Sequence, residues 1–321
     1  MTRTGVQVLG KTRGQALTVE VFERLSDVPP DIEWFANLGN KATRRAYQIA
    51  VEDFRQFSGI TSPEDLRKVT RAHIIAWRED LKRRPLSDIT VRHRLAAMSS
   101  LFMYLCDRNA IHQNPVTGVK RPICNTTEGA TPVLLASQAR ALLDAPDADS
   151  LKGKRDRAIL ATLLYHGLRR EELCKLKQRD ICRLRPGNPA LKISGKGGKI
   201  RYVPLHSVAD QCISAYLAAA GMPRDGRAPL FCSLRDLRKG ITGAAITPDA
   251  VYKIVRSYSA ALGFEVGAHA LRATAATNAL ENHAEIANVQ EWLGHANITT
   301  TRLYDHRRQR AQDSPTFRLA Y

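Results

Sequence analysis

Apolar residues fall on helical periods along most of the chain. Tyr47, Ala50, Val51, Phe54 and Phe57 recur at i, i+3, i+4, i+7 and i+10, which lines one face of an amphipathic helix. Ser62-Pro63-Glu64-Asp65 opens a short helix, with a capping serine, a first-turn proline and acids facing the positive end of the helix dipole. Ile74, Trp77 and Leu81 mark the next face. Val91, Leu95, Met98, Phe102 and Leu105 mark another, with Ser87 or Asp88 available to cap it. Residues 31–115 therefore read as a bundle of four or five helices that stops at Asn114-Pro115. Residues 1–30 have weak periodicity, end in Pro29-Pro30 and read as an irregular arm. Residues 116–132 contain Gly118, Pro122, Gly129 and Pro132 without a period, which predicts a linker.

Helical patterning resumes at Ser137, a possible cap. Ile159, Leu160, Leu163 and Leu164 predict a buried helix within residues 155–166. Two β-type runs, Leu191–Ser194 and Ile200–Leu205, flank Gly195-Lys196-Gly197-Gly198-Lys199 and predict a hairpin with a glycine-rich turn. Helices are expected again over 207–220, 247–262, 269–280 and 284–293, the last stopped by Gly294. A final short helix is expected near Asn297, carrying Tyr304. The fold class that results is mainly α with a small β-hairpin or sheet. A helical domain over 31–115 precedes a mixed α/β domain over 133–310 and a tail over 311–321.

Charge changes the picture more than composition does. The 321 residues are 44% apolar, ample for two cores, but 49 basic and 31 acidic side chains leave a net charge of +18. Residues 1–130 carry 20 basic and 14 acidic side chains, and the remainder 29 and 17, so both halves are basic. A polyanion is the expected partner, and nucleic acid the first candidate. No run of about 18 apolar residues predicts a membrane span, and the N-terminus does not read as a secretory signal. The six cysteines show no CxxC spacing, so neither a zinc site nor a disulfide framework is expected. The cytoplasm, in association with the nucleoid, is the expected location.

Four segments carry candidate chemistry. His269-Ala270-Leu271-Arg272 places a histidine and an arginine one helical turn apart, able to clamp a phosphate. Gly167-Leu168-Arg169-Arg170-Glu171-Glu172 puts Arg169 at a helix start, where free N–H groups also favour an anion, with Glu172 placed to hold the guanidinium. The Gly195–Lys199 run departs from GxxxxGK[ST], because Ile200 follows Lys199 and the turn joins two strands. ATP binding is therefore disfavoured, while Lys196 can still deliver a proton to a leaving oxygen. The fourth segment runs from Leu293-Gly294-His295 to Tyr304. Taken singly, each segment also fits an ordinary solvated or hydrogen-bonded surface.

The order Arg169, Lys196, His269-x-x-Arg272, Gly294-His295, Tyr304 resembles that of the tyrosine recombinase (phage integrase) family. The bundle segment is similar to the family's core-binding domain at Lys41-Ala42-Thr43-Arg44-Arg45-Ala46-Tyr47, at Val91-Arg92-His93-Arg94-Leu95, and at Asn114-Pro115 with Gly118-Val119-Lys120-Arg121-Pro122. The resemblance implies that Tyr304 attacks a DNA phosphodiester and leaves a 3′-phosphotyrosyl bond with a free 5′-hydroxyl. Arg169 and Arg272 then hold the non-bridging oxygens, Lys196 protonates the departing 5′-oxygen, His269 assists proton removal from Tyr304, and His295 bonds the phosphate. Glu172 braces the site. The bond energy is kept in the phosphotyrosyl link, so no ATP is implied, and with cationic side chains in place no metal and no cofactor are expected.

Two positions depart from the family pattern: His166 stands where many relatives have Thr, and Ala273 follows Arg272 where His is common. Lys199 competes with Lys196 for the proton-donor role. Arg44, Arg45, Arg92 and Arg94 are the candidate DNA contacts of the first domain. The resemblance also implies double-stranded DNA sites, a homotetramer joining two of them, and room for an accessory directionality protein. The tail with Phe317, Leu319 and Tyr321 is expected to pack on a neighbouring protomer. Two alternatives share parts of this picture: a type IB topoisomerase-like enzyme that relaxes DNA, and a catalytically inactive DNA-binding accessory protein.

Overall fold

The computed structural model describes residues 30–123, 131–185, 188–195, 198–223, 226–234 and 241–305. The chain divides into two compact units, Met1–Asn125 and Thr126–Tyr321.

The first unit is helical: α1 (Pro30–Asn37), α2 (Lys41–Ser58), a 3₁₀ turn (Pro63–Lys68), α3 (Arg71–Arg83) and α4 (Asp88–Asp107). Local signals set the ends. The Asn40 side chain accepts from the amides of Ala42 and Thr43, and Gly59, at φ 69°, closes α2 in the left-handed region. The amide and hydroxyl of Ser62 both donate to Asp65 Oδ2, at 3.2 and 3.0 Å. Ser87 caps α4 by accepting from the Thr90 amide. The apolar faces meet in one core, where Phe54 lies edge-on to Trp77 at 5.2 Å and both are fully buried. Val116 and Val119 join that core. The chain therefore packs on past Pro115, because two apolar side chains three residues apart fill the end of the bundle where the sequence suggests a linker.

The second unit begins with α5 (Ala136–Asp144), α6 (Leu151–His166) and α7 (Arg170–Lys175). An antiparallel sheet follows, β1 (Ile181–Arg185), β2 (Asn188–Ser194) and β3 (Ile200–Pro204), in the order β1-β2-β3. Next come α8 (Ser207–Ala219) and a two-stranded ribbon of β4 (Cys232–Leu234) and β5 (Ile241–Ala245). The unit continues with α9 (Pro248–Ala261), α10 (Ala268–Glu281), α11 (Ile286–Leu293) and α12 (Ile298–Arg302). Helix α6 is the axis of this unit: Ala158, Ile159, Leu160 and Leu163 are fully buried, and it packs against α8 and α10.

The predicted hairpin is present, with Ser194 opposite Ile200 and Ala190 opposite Pro204. Strands β1, β4 and β5 are additions, each too short to show a period in sequence. Helix α5 starts at Ala136 rather than after a Ser137 cap, because Gln138 Oε1 accepts from the Leu135 amide at 2.9 Å. Tyr304 lies in the turn after α12 and not within a helix. Three consecutive threonines explain the early stop, since β-branched side chains lose rotamer freedom in a helix. Among the described residues no helix is long and apolar enough to cross a membrane, and five cysteines (Cys106, Cys174, Cys182, Cys212 and Cys232) are free.

Candidate active site

The site is built where helix ends converge. Helix α6 terminates at Gly167, whose φ of 57° is left-handed. A Cβ there would stand 2.8 Å from Leu293 Cδ2, so glycine is what lets the end of α6 approach the end of α11. Two residues on, Arg169 is the N-cap of α7 and Glu172 reaches back to it. The Arg169 amide donates to Glu172 Oε2 at 2.9 Å and Nη1 donates to Oε1 at 2.9 Å. The guanidinium extends toward the carbonyls of Leu293 and Gly294, at 3.4 and 3.5 Å. The Arg169 side chain remains 41% exposed, whereas that of Glu172 is 4% exposed. One end of this pair is held by protein and the other faces outward.

Helix α10 supplies His269 and Arg272 one turn apart. Arg272 is 1% exposed and donates to the carbonyls of Gly167 and Leu293 and to His295 Nε2, the last two at 2.8 Å. A guanidinium cannot accept, so His295 Nε2 is the acceptor and the ring proton resides on Nδ1. That Nδ1–H donates to Thr301 Oγ1 at 2.9 Å. Burial first, then the charges of Arg272, Arg169 and Arg201, push His295 down to about 4, which keeps it neutral at physiological pH. Burial, followed by the neighbouring Arg169, lowers Arg272 to about 10, and it stays a cation at neutral pH.

Tyr304 is 5% exposed and its ring stacks on His295 with centroids 5.9 Å apart. Its hydroxyl lies 3.4 Å from His269 Nε2. Burial first, then Arg272, Arg169 and Arg170, lowers the pKa of His269, so its imidazole is neutral and has a lone pair for a proton. Thr277 Oγ1 donates to the Tyr304 carbonyl at 3.0 Å and fixes the backbone from below. The turn thus presents a phenol between two neutral imidazoles, with two guanidiniums beside it. Such a pocket binds a tetrahedral anion and stabilises added negative charge on it.

Six of the sequence-predicted residues come together here: Arg169, Glu172, His269, Arg272, His295 and Tyr304. Lys196 lies outside the described residues. Its turn is closed at the base, where the Gly195 amide donates to the Lys199 carbonyl at 2.7 Å, and Lys199 itself is exposed. His166 is no part of the pocket. It is fully buried, donates from Nδ1 to the Thr162 carbonyl and accepts at Nε2 from the His206 amide, both at 3.1 Å. Ala273 is buried beside Ala276 and Leu293.

Arg201 was not singled out by the sequence. It donates from both terminal nitrogens to Glu172, at 3.0 and 2.8 Å, and from Nε to the Trp292 carbonyl at 3.0 Å. Alternation along β3 puts it on the same face as buried Val203, and a cation on a core face needs a partner. Thr301 was missed as well, since a threonine beside a histidine in space leaves no trace in spacing.

In the first unit, Arg45 is exposed, and Arg92 is exposed with Nη1 at 3.0 Å from the Pro122 carbonyl. Arg44 donates to the carbonyls of Leu38 and Ala36, at 2.8 and 3.5 Å, where α1 meets α2. Arg94 is 18% exposed and pairs with Asp53 at 2.9 Å. Those last two are engaged within the bundle.

Residues 132–310 match the model of the "Phage integrase family", and residues 37–109 match "Phage integrase, N-terminal SAM-like domain". The chain is 32% identical over 272 residues to tyrosine recombinase XerC of Thermodesulfovibrio yellowstonii, covering 82% of this chain and 85% of that protein. It shares its fold with XerH site-specific recombinase bound to difH substrate, at a TM-score of 0.69 and 22% identity over 97% of this chain and 91% of that one. A lambda integrase tetramer bound to a Holliday junction has the same fold at a TM-score of 0.65 and 17% identity, over 88% of this chain and 78% of that one.

Proposed function

The chain belongs to the phage integrase family, the tyrosine recombinases, and from that premise we propose that Tyr304 is its nucleophile in site-specific DNA recombination. The observation that carries the assignment is the Tyr304 hydroxyl 3.4 Å from His269 Nε2, beside a buried, cationic Arg272. A phenol is a weak nucleophile until its proton is taken, so it gains from a base at hand. His269 takes that proton as the phenolic oxygen bonds to phosphorus and the bond to the 5′-oxygen breaks. Lys196 gives a proton to the departing oxygen, and the 3′-phosphate remains on Tyr304. Rejoining runs the same steps backwards, with a 5′-hydroxyl as the attacking group.

Arg169 and Arg272 hold the two non-bridging oxygens. His295, a donor to Thr301 through Nδ1 and an acceptor from Arg272 at Nε2, lies against the tyrosine ring and orients that guanidinium; a bond from Nε2 to the phosphate itself requires the ring proton to move there. These side chains supply every charge and proton the reaction needs, so strand cleavage should proceed in a chelator without added metal or ATP. Double-stranded DNA is the partner and a homotetramer on two sites is the working assembly, supported by the net charge of +18 and by the tetrameric lambda integrase of like fold.

A nicked suicide substrate tests the nucleophile. The wild-type protein should become covalently attached to DNA, and Tyr304→Phe should bind the same DNA without attachment. An adduct that persists in the phenylalanine variant overturns the assignment.

A further inference from the structure

We infer that Arg201 is a positioning residue for strand cleavage: it holds the Glu172 carboxylate ionised and in place, and that carboxylate in turn aims Arg169 at the phosphate. The inference rests on the cleavage reading above and adds to it a residue and a chain of contacts. The chain begins with a carboxylate that is 4% exposed. Each of its oxygens accepts two bonds, Oε1 from Arg169 Nη1 and Arg201 Nη1, Oε2 from the Arg169 amide and Arg201 Nη2. The two guanidiniums differ in what else they can do. The Arg201 side chain is 15% exposed and each of its three nitrogens is bonded to protein, Nε to the Trp292 carbonyl. The Arg169 side chain is 41% exposed and keeps donors for a ligand.

The geometry assigns a division of labour. Burying a carboxylate is costly unless it is paired and hydrogen-bonded. If Arg169 were the sole cation, binding a phosphate would draw its charge away from Glu172 at the moment the carboxylate must orient it. Arg201 removes that conflict by supplying a second, dedicated positive charge, and a bidentate fork fixes the carboxylate plane as well as its charge. Strand β3 makes this possible, since Arg201 pairs across the sheet with fully buried Ile193 and so points to the inner face. A Cβ on Gly294 would approach Arg201 Nη1 to 3.1 Å, so the segment leading to His295 is packed against the same guanidinium. Among the described residues Arg272 also interacts with the charge of this carboxylate, and it is a cation at neutral pH.

A pH profile separates this role from plain scaffolding. With Arg201 present, hydrogen bonds from Arg201 and Arg169 outweigh burial and hold Glu172 at about 2, so it stays ionised over any useful assay range. In Arg201→Met the carboxylate keeps its burial and loses half of its bonds, so its pKa rises and it protonates on the acid side. Single-turnover cleavage of a suicide substrate, measured from about pH 5 to 8 at saturating DNA, should then show an added acid limb. Below the raised pKa, the variant-to-wild-type rate ratio should fall about tenfold per pH unit. Arg201→Lys, which keeps the charge but not the fork, should remove most of that limb while cleaving more slowly than wild type. The double variant Arg201→Met, Glu172→Gln should lose the limb altogether, because the carboxylate that gave rise to it is gone.

A rate ratio constant across the range in a folded Arg201→Met protein overturns the inference, and so does an acid limb that survives Glu172→Gln. An Arg201→Met protein that does not fold leaves the same decision to Arg201→Lys. Its slower cleavage should depend on Glu172, and a slowing of the same size in a Glu172→Gln background counts against the role. Wild-type protein that forms no covalent adduct at any pH would overturn the cleavage reading itself, a result distinct from a normal adduct with a pH-independent Arg201 effect.

Discussion

Tautomer and ionisation decide what each group in the pocket can do. His295 is neutral because it is buried among guanidiniums, and its proton sits on Nδ1 because Arg272 occupies Nε2. Thr301 Oγ1 accepts the hydrogen bond from that N–H, at 2.9 Å. Thr301→Val keeps the shape and removes the acceptor, leaving a buried N–H unpaired at a cost of about 1–3 kcal/mol. Cleavage of a suicide substrate by this variant should slow by about tenfold or more, with DNA affinity in a gel-shift titration unchanged. Equal cleavage rates would show that the tautomer is held by something else. The difference between Thr301 and its neighbours also marks how far sequence reaches at this scale. His269 and Arg272 were legible because one helical turn fixes their separation before the chain folds. Arg169 and Glu172 were legible for the same reason. Arg201 meets Glu172 across 29 residues, through a strand register that no local spacing encodes, and Thr301 bonds a histidine whose orientation depends on a buried arginine from another helix.

Among the elements, the amphipathic helices were readable because burial requires apolar faces at a fixed period, and Ile74, Trp77 and Leu81 are all fully buried. The three short strands were not, since two or three inward positions cannot establish alternation. His166 shows how one unusual residue can join elements. It is the last residue of α6, yet its Nε2 accepts from the His206 amide at the N-cap of α8, while the His206 ring stacks on Tyr165 at 3.9 Å. Burial drives its pKa down to about 4, so the folded protein resists protonation there and the unfolded chain does not. The sign follows from linkage. Stability from this group is complete above its ordinary value of 6.5 and is lost progressively as pH falls toward 4, because only the unfolded state gains the proton in that window. The loss amounts to about 3 kcal/mol for a shift of this size. His166→Thr has no such proton to gain. Urea titrations should find it less stable than wild type at pH 7.5, with the gap narrowing by about 2–3 kcal/mol near pH 4.5. A gap that stays constant would mean that His166 does not titrate in this way.

For the whole molecule the governing quantity is charge. A chain with a net +18 should bind any duplex at low salt, and affinity should fall linearly on logarithmic axes with a slope of about −0.9 for each phosphate neutralised. That slope distinguishes arginines that meet DNA from those that hold the bundle together. Arg45 and Arg92 are exposed, and each can reach a phosphate, Arg92 with the donors left over from its bond to the Pro122 carbonyl. Arg94 is 18% exposed and shares Asp53 with Arg84 and the indole of Trp77, a network that closes over the middle of the first core. Arg45→Ala and Arg92→Ala should each make the slope shallower by about 0.9, lower affinity for all sequences alike, and leave the melting temperature within error. Arg94→Ala should do the reverse, lowering the melting temperature while the slope stays at its wild-type value, because the charge it removes is already balanced inside the fold. Parallel salt titrations and thermal melts of the three variants decide the matter. A shallower slope for Arg94→Ala would move that guanidinium to the DNA, and an unchanged slope for Arg92→Ala would reduce its role to the bond with the Pro122 carbonyl.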